Sequence, residues 1–266
     1  MDGRVKISVV TPSFNQATFI ERTLESVAMQ KTDFAIEHVV VDGGSTDGTV
    51  DILGRHSGAL RFVSGPDRGM PDAVNKGFAM TAGEIIGWLN SDDLYEPGAL
   101  QKVADYFDRH PGCLWLYGKC KMIDARDRET RRWITAYKNR SAGRFSLSRL
   151  LVENFISQPA VFFRREMLDR AGLLDIGLPT AMDYDLWLRF ARESPPGFID
   201  EYLASFRVHP GSISSRTFRE QFDEQYRIHL RYDQTPALLA RHRTRIRQIV
   251  FVYSFLNFAA SIGRRK

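Results

Sequence analysis

Through its first 118 residues the chain alternates short apolar runs with segments of helical spacing, joined by turns of a few residues. Parallel strands need a crossover between them and a helix supplies it, so this alternation predicts βαβ units and a largely parallel sheet. Val5 to Thr11 ("VKISVVT") reads as the first strand, and Phe19, Leu24, Val27 and Ala28 then recur at helical spacing. Glu37 to Asp42 is the second strand, and "GGSTDGTVDIL" a tight turn in which Ser45 or Thr46 caps a helix carrying Val50 and Leu53. Leu60 to Val63 is a short third strand, Pro71 to Met80 a helix, and "EIIGWL" a buried strand. Leu100, Val103 and Phe107 mark the next helix, and "LWLYG" the strand after it.

Beyond Lys119 the pattern weakens, and "DARDRETRRW" and "KNRSAGRF" read as polar connection. Gln158 to Phe163 ("QPAVFF") is a strand candidate, followed by a helix from Arg164 to Ala171. In "AMDYDLWLRFA" apolar residues interleave with carboxylates, and "FIDEYLASFRVH" closes this half as a strand. From Thr217 the chain reads as two helices broken near Pro236. With 43% hydrophobic residues among 266, the chain can bury a full core, as one large α/β domain or a domain with an appendage. The start lacks the basic and apolar regions of a secretory signal, which predicts a cytoplasmic chain. Cys113 and Cys120 fit no metal or redox spacing and are expected to be reduced thiols.

The formal net charge of +5 is unevenly placed. Residues 241–266 hold Arg241, Arg243, Arg245, Arg247, Arg264, Arg265 and Lys266 with no acid. Removing those seven from 37 basic residues leaves 30 against 32 acidic ones, a net −2 for residues 1–240. The body is therefore no nucleic-acid surface by charge, and the tail is the basic element.

In an open parallel sheet, ligands sit outside the carboxyl ends of the strands. "TPSFN" (Thr11 to Asn15), Asp42, "PDRGMPDAVNKG" and "NSDD" all fall at such ends and together describe an acidic, Asn-rich rim. Singly, Asp42 can be a turn former and Asp72 a helix N-terminal charge. No G-x-G-x-x-G follows the first strand and no P-loop occurs anywhere, which argues against dinucleotide and P-loop nucleotide binding. The adjacent carboxylates of Asp92 and Asp93 repel each other, so a positive group belongs beside them. Mg²⁺ or Mn²⁺ bridging them to a substrate diphosphate fits, the alternative being an acidic cap on the helix from Pro97 to Arg109.

Six blocks in order carry a resemblance: "ISVVTPSFNQATFIERTLESVAMQ", "VVVDGGSTDGTVDIL", "PDRGMPDAVNKGFAMTAGEIIGWLNSDDLYEPGAL", "QPAVFFRREMLDRAGLLD", "AMDYDLWLRFA" and "FRVHPGSISS". Over roughly Ile7 to Ser215 the chain resembles the inverting nucleotide-sugar glycosyltransferases of family 2. The resemblance implies the α/β GT-A fold, a Rossmann-like mixed, mainly parallel sheet flanked by helices, here with a C-terminal helical extension. It implies a transferase domain over 1–215, with a nucleotide-sugar-binding half (1–118) and an acceptor-side half (119–215), and a helical basic tail over 216–266.

By the same resemblance Thr11, Phe14 and Asp42 match the pocket for base and ribose, with Asp72 and Asn75 on its far wall. Asp92 and Asp93 match the metal-binding acidic motif, Asp92 also reaching towards the ribose. Asp183 matches the general base, and His209, with Ser212 and Ser214, a loop approaching metal or diphosphate. Two positions depart from the family pattern: Asn90 stands where members often carry Asp, and Val74 where many carry Arg, leaving Arg68 or Lys76 to supply that cation. The implied donor is a nucleotide sugar, UDP-sugars favoured, and the acceptor a carbohydrate or lipid-linked hydroxyl.

Asp183 and Asp185 lie two apart and cannot share a helix face. Asp183, at the helix start, is expected to face the cleft, the alternative being that both acids only cap the helix. Trp187 is expected in the core, and His209 is either structural or a metal or diphosphate contact. Two other classes stay open: a sugar-nucleotide nucleotidyltransferase, which would be expected to grip a triphosphate through a Gly-rich basic loop, and a catalytically silent scaffold. Replacing Asp93 with Ala is expected to stop turnover with the fold nearly intact.

The run from Ile249 to Ile262 is mostly apolar but spans only about 21 Å as a helix, too short to cross a bilayer. Two placements are open for the tail. It packs on the enzyme or a second subunit of a homodimer, or it lies in the membrane interface at the inner face with its arginines on anionic headgroups.

Overall fold

The computed structural model describes residues 5–212 and 217–263. Its elements run β1 (Val5–Ser13), α1 (Ile20–Ala28), β2 (Ala35–Asp42), α2 (Thr49–Arg55), β3 (Arg61–Ser64), α3 (Met70–Met80), β4 (Ile85–Trp88), β5 (Leu94–Tyr95), α4 (Ala99–Arg109) and β6 (Trp115–Ile123). They continue with α5 (Arg132–Ala142), α6 (Leu147–Val152), β7 (Val161–Arg164), α7 (Glu166–Ala171), α8 (Met182–Glu193), β8 (Gly197–Arg207), α9 (Phe218–Tyr232) and α10 (Pro236–Gly263).

Eight strands form one sheet in the order β3-β2-β1-β4-β7-β6-β8-β5. The first four in that order are parallel, β7 inserts antiparallel between β4 and β6, and β8 runs parallel to β6. Helices cover both faces, which is why β4 is apolar without alternation and β1 is buried from Ile7 to Ser13, its Ser8, Thr11 and Ser13 included. Ile86 and Trp88 pack into one core with Val74, Phe78, Trp115 and Trp187, while Ile85 and Leu89 pack into the other with Leu100, Val103 and Phe107. A side-chain carbon at Gly77 would meet Val10 Cγ1 at 2.3 Å, so glycine there lets α3 lie directly on β1.

Two expectations are corrected. Gln158 to Ala160 is a turn of 3₁₀ helix and the strand begins at Val161. Pro159 brings no N–H to a ladder, and the Gln158 side chain turns back to the Trp88 carbonyl at 2.5 Å. The expected polar connection contains α5, whose buried stripe is Ile134, Thr135, Ser141 and Ala142, half of it polar and so invisible to an apolar-periodicity reading. It is followed by α6, whose N-cap Ser146 accepts from the Arg149 N–H.

The break at Pro236 is where it was expected, and α9 and α10 pack on the body. Glu224 of α9 accepts from the Thr180 and Ala181 N–H groups at 2.8 and 2.6 Å, just ahead of α8. His229 and His242 both donate Nδ1–H to the Leu151 carbonyl at the end of α6.

Burial gives the fold a pH dependence. His38, on β2, has Nε2 3.0 Å from Thr11 Oγ1, and desolvation lowers its pKa to about 4. His242 is likewise lowered to about 4, by burial and then by neighbouring His229. Between the unfolded value of 6.5 and about 4 the folded state binds fewer protons than the unfolded one, so stability is full above that window and lost as pH falls through it. Urea unfolding at pH 7 and pH 4.5 should show a loss of roughly 2–3 kcal/mol from His38 alone. The variant His38→Gln should show a flatter dependence; an unchanged slope would contradict this assignment.

Candidate active site at the carboxyl ends of the strands

The ends of β1, β2 and β3 are in register, Ser13 beside Asp42 and Asp42 beside Ser64. Phe14, just past β1, is 60% exposed. Asp42 is buried, and its oxygens accept from the Gly44 and Ser45 N–H groups and from the Ser45 and Ser64 hydroxyls. Its carboxylate thus builds the turn at the end of β2. Thr11 is fully buried, with its hydroxyl 3.0 Å from His38 Nε2.

The carboxylate that does reach this corner is Asp67, which the sequence reading passed over. A side-chain carbon at Gly43 would lie 2.8 Å from Asp67 Oδ2 and 3.3 Å from the Phe14 ring, so the missing side chain makes room for both groups. Oδ1 of Asp67 accepts from the Gly69 N–H at 2.8 Å. The Gly43–Gly44 doublet after a strand-end acid was the available signal.

On the wall formed by α3, Asp72 is gripped by Lys76 at 3.0 Å and by the N–H and guanidinium of Arg68, which hold its carboxyl down to about 2. Both cations considered as substitutes for the Arg missing at Val74 therefore meet on Asp72. Asn75 pairs its amide with the backbone of Leu174 in both directions, at 2.9 and 3.0 Å, and ties α3 to the loop after α7.

At the end of β4 the acidic pair divides. Asp92 Oδ2 lies 3.0 Å from His209 Nε2, both side chains partly exposed. Asp93 is fully buried and accepts the Arg207 N–H at 2.8 Å; burial first, and the Asp92 charge second, push its carboxyl up. The positive group beside the pair is Arg207, itself fully buried. It donates Nε–H to the Asp92 carbonyl at 2.6 Å and Nη1–H to the Asp124 carbonyl at 2.9 Å, pairs with Asp127, and lies over the Phe19 ring. Among the described residues no three His, Cys, Asp or Glu side chains converge as a metal cage; the Asp93 carboxylate is fully buried, whereas Asp92 is partly exposed. Asn90 accepts from the Trp88 indole N–H and donates to Gln158, so this departure from the family pattern is absorbed by a local network.

Asp183 opens α8. Oδ1 takes the Tyr184 N–H at 2.7 Å, Asn154 donates towards Oδ2 at 3.4 Å, and burial pushes the carboxyl up. Asp185 faces elsewhere, bonded to Arg189 and to the Tyr232 hydroxyl. Trp187 is buried core, stacked on Trp115. Ser212 folds back on the His209 carbonyl, and Ser214 lies outside the described residues.

A mixed, mainly parallel sheet with flanking helices and such a rim defines a GT-A-type α/β fold. Residues 8–172, more than half of the chain, match the model of glycosyl transferase family 2, and the chain belongs to that family of transferases. A PGL/p-HBAD biosynthesis glycosyltransferase of Mycobacterium tuberculosis is 32% identical over 203 residues, covering 74% of this chain and 73% of the relative. An uncharacterized glycosyltransferase of Rickettsia felis is 26% identical over 207 residues, 76% of this chain; the chain spans only 34% of that relative.

Among solved structures, S. aureus TarS 1-349 in complex with UDP-GlcNAc superposes with a TM-score of 0.67 at 20% identity, covering 91% of this chain and 72% of that one. The chain spans 43% of the longer S. aureus TarS chain. The mannosyltransferase PcManGT from Pyrobaculum calidifontis, in complex with GDP-Man and Mn²⁺, has a TM-score of 0.64 at 18% identity, covering 97% of this chain and 80% of that one.

Proposed function

We propose that the protein transfers a sugar from a nucleoside-diphosphate donor to an acceptor hydroxyl with inversion, and the observation that carries this is the separation of two carboxylate centres. Asp92 with His209 serves the donor diphosphate, and Asp183 serves the acceptor. Phe14 offers an exposed face for the base and Asp67 an acceptor oxygen for a ring N–H, which suits uracil in a UDP-sugar. The donor complexes of the two structural neighbours support a nucleotide sugar without deciding the base.

A carboxylate and an imidazole 3.0 Å apart, partly exposed, suit Mg²⁺ or Mn²⁺, which binds few protein groups and completes its shell with phosphate and water. Asp92 and His209 would hold the ion, and the Mn²⁺ complex of the mannosyltransferase supports this choice. When bound, it supplies positive charge at the departing diphosphate. Arg207 fixes the Asp92 backbone, so the carboxylate is presented outward. Asp183 accepts the proton of the attacking hydroxyl; its burial raises its affinity for that proton, and the Tyr184 N–H and Asn154 hold its orientation. Asp185 cannot share this task while Arg189 and Tyr232 occupy it.

We read the acceptor as a carbohydrate or lipid-linked hydroxyl, and the basic tail as a peripheral contact with an anionic membrane. Among the described residues no helix is long and apolar enough to cross a bilayer. Incubation with a panel of nucleotide sugars and Mn²⁺ tests the reaction class. Slow release of nucleoside diphosphate is expected; release of pyrophosphate from nucleoside triphosphate and sugar phosphate would instead mark a nucleotidyltransferase, and binding without any turnover a scaffold.

A further inference from the structure

The tail is not the only acid-free basic segment. From Thr130 to Val152 the chain carries Arg131, Arg132, Lys138, Arg140, Arg144 and Arg149 and no Asp or Glu. The fold brings this segment, which contains α5, beside the tail helix α10. Arg245 of α10 lies over the Tyr137 ring of α5 at 4.7 Å, and Glu153 pairs with both, accepting from the Tyr137 hydroxyl at 2.7 Å and from Arg245 Nε at 2.8 Å.

The outer side of this junction is both aromatic and cationic. Trp133, one turn before Tyr137 on the same helix face, is 55% exposed, Tyr137 is 41% exposed, and Phe251 on α10 is 73% exposed. Arg140 and Arg144 are exposed, form no ion pair among the described residues, and border an open cavity of about 370 Å³ whose one acid, Asp200, is paired with Lys119 on its rim. Arg241 and Arg247 on α10 are exposed as well. Indole and phenol rings next to uncompensated guanidinium groups fit a headgroup layer, where the ring enters the interface and the cation meets lipid phosphate.

We propose that α5 and α10 together form a docking face for an anionic membrane surface, with Trp133 and Tyr137 entering the headgroup region and Arg140 and Arg144 binding lipid phosphates. This deepens the tail reading above and rests on it. The face also has a defined relation to the active site: Glu153, which joins its two helices, is followed by Asn154, which donates to Asp183. A docked enzyme thus brings its acceptor side, not its donor rim, nearest the lipid. Charge and aromatic exposure together favour lipid over a soluble polyanion, which would need the cations but not the buried entry of an indole.

The test uses the full chain and a built-in reporter. Of the four tryptophans, Trp88, Trp115 and Trp187 are buried and Trp133 alone is exposed, so a change in emission on binding reports on Trp133. Phosphatidylglycerol vesicles at low salt should shift the emission to the blue and co-sediment the protein, while phosphatidylcholine vesicles do neither. Trp133→Phe should remove the shift. Arg140→Gln with Arg144→Gln should weaken partitioning roughly 30-fold and leave nucleoside-diphosphate release in solution unchanged. Co-sedimentation that is untouched by these variants and brings no blue shift would overturn the composite face and leave the tail alone as the contact. An equal blue shift with soluble polyphosphate would reassign the face to a polyanionic polymer. Failure of the wild-type chain to bind either vesicle would remove both this inference and the tail reading.

Discussion

Asp183→Asn should lower kcat by about 10²–10⁴ while nucleoside-diphosphate affinity stays within a few-fold of the parent. The amide keeps the shape of the carboxylate and its contact with the Tyr184 N–H but has no basic oxygen for the acceptor proton. Because burial raises the Asp183 carboxyl, activity should be full above that raised value and fall as pH drops through it, with the acid limb of kcat lying above the usual carboxylate range. Calorimetry with nucleoside diphosphate and a turnover assay on one preparation separate the two effects. Equal losses in both would move Asp183 to the donor site or to the fold.

The acidic pair should respond unequally. Asp92→Asn removes the carboxylate that faces His209, so metal-dependent turnover should fall by at least about 10²-fold with little change in thermal stability. Asp93→Ala should behave as a folding variant, because it leaves the buried Arg207 N–H without its acceptor, a loss of roughly 1–3 kcal/mol. Asp93→Asn retains an acceptor oxygen for that N–H and should recover most of the stability. Metal titration of turnover together with thermal melts of the three variants reads this out. A stable but inactive Asp93→Ala would restore the pair as joint ligands and contradict the division drawn from burial.

The parallel half of the fold was legible because strands covered on both faces carry unbroken apolar runs, as β2 does from Val39 to Val41 and β4 throughout. α5 was not, since Thr135 and Ser141 occupy buried positions where a pattern reading looks for aliphatics. Asp183 is preferred over Asp185 from its place at the helix start; that Arg189 and the Tyr232 hydroxyl bond Asp185 is a feature of the fold that no sequence spacing announces. Adjacent carboxylates, by contrast, look alike in a sequence. Only the fold shows that Asp93 turns inward to the Arg207 N–H while Asp92 turns out to His209. Arg207, between Phe206 and Val208 at the end of β8, gave no sign that it would be the cation beside that pair. Asp42 and Asn75 match blocks of the family, but a sequence does not show that Asp42 also binds turn N–H groups and the Ser45 and Ser64 hydroxyls, that Asn75 binds the Leu174 backbone, or that Asp67 reaches the corner beside Gly43.

The central claim is that the rim at the ends of β1, β2 and β4 receives a nucleoside diphosphate with a divalent ion on Asp92 and His209. A thermal-shift screen of UDP, GDP and TDP, each with and without Mn²⁺, tests it most directly. A ligand at about 100 times its Kd adds roughly 2.7 kcal/mol, a rise of about 5–10 °C for a chain of this size. The account predicts such a rise for UDP with Mn²⁺, a much smaller one without the metal, and none in Asp92→Asn. Equal shifts in Asp92→Asn and the parent, or no shift with any of the three nucleotides, would contradict it.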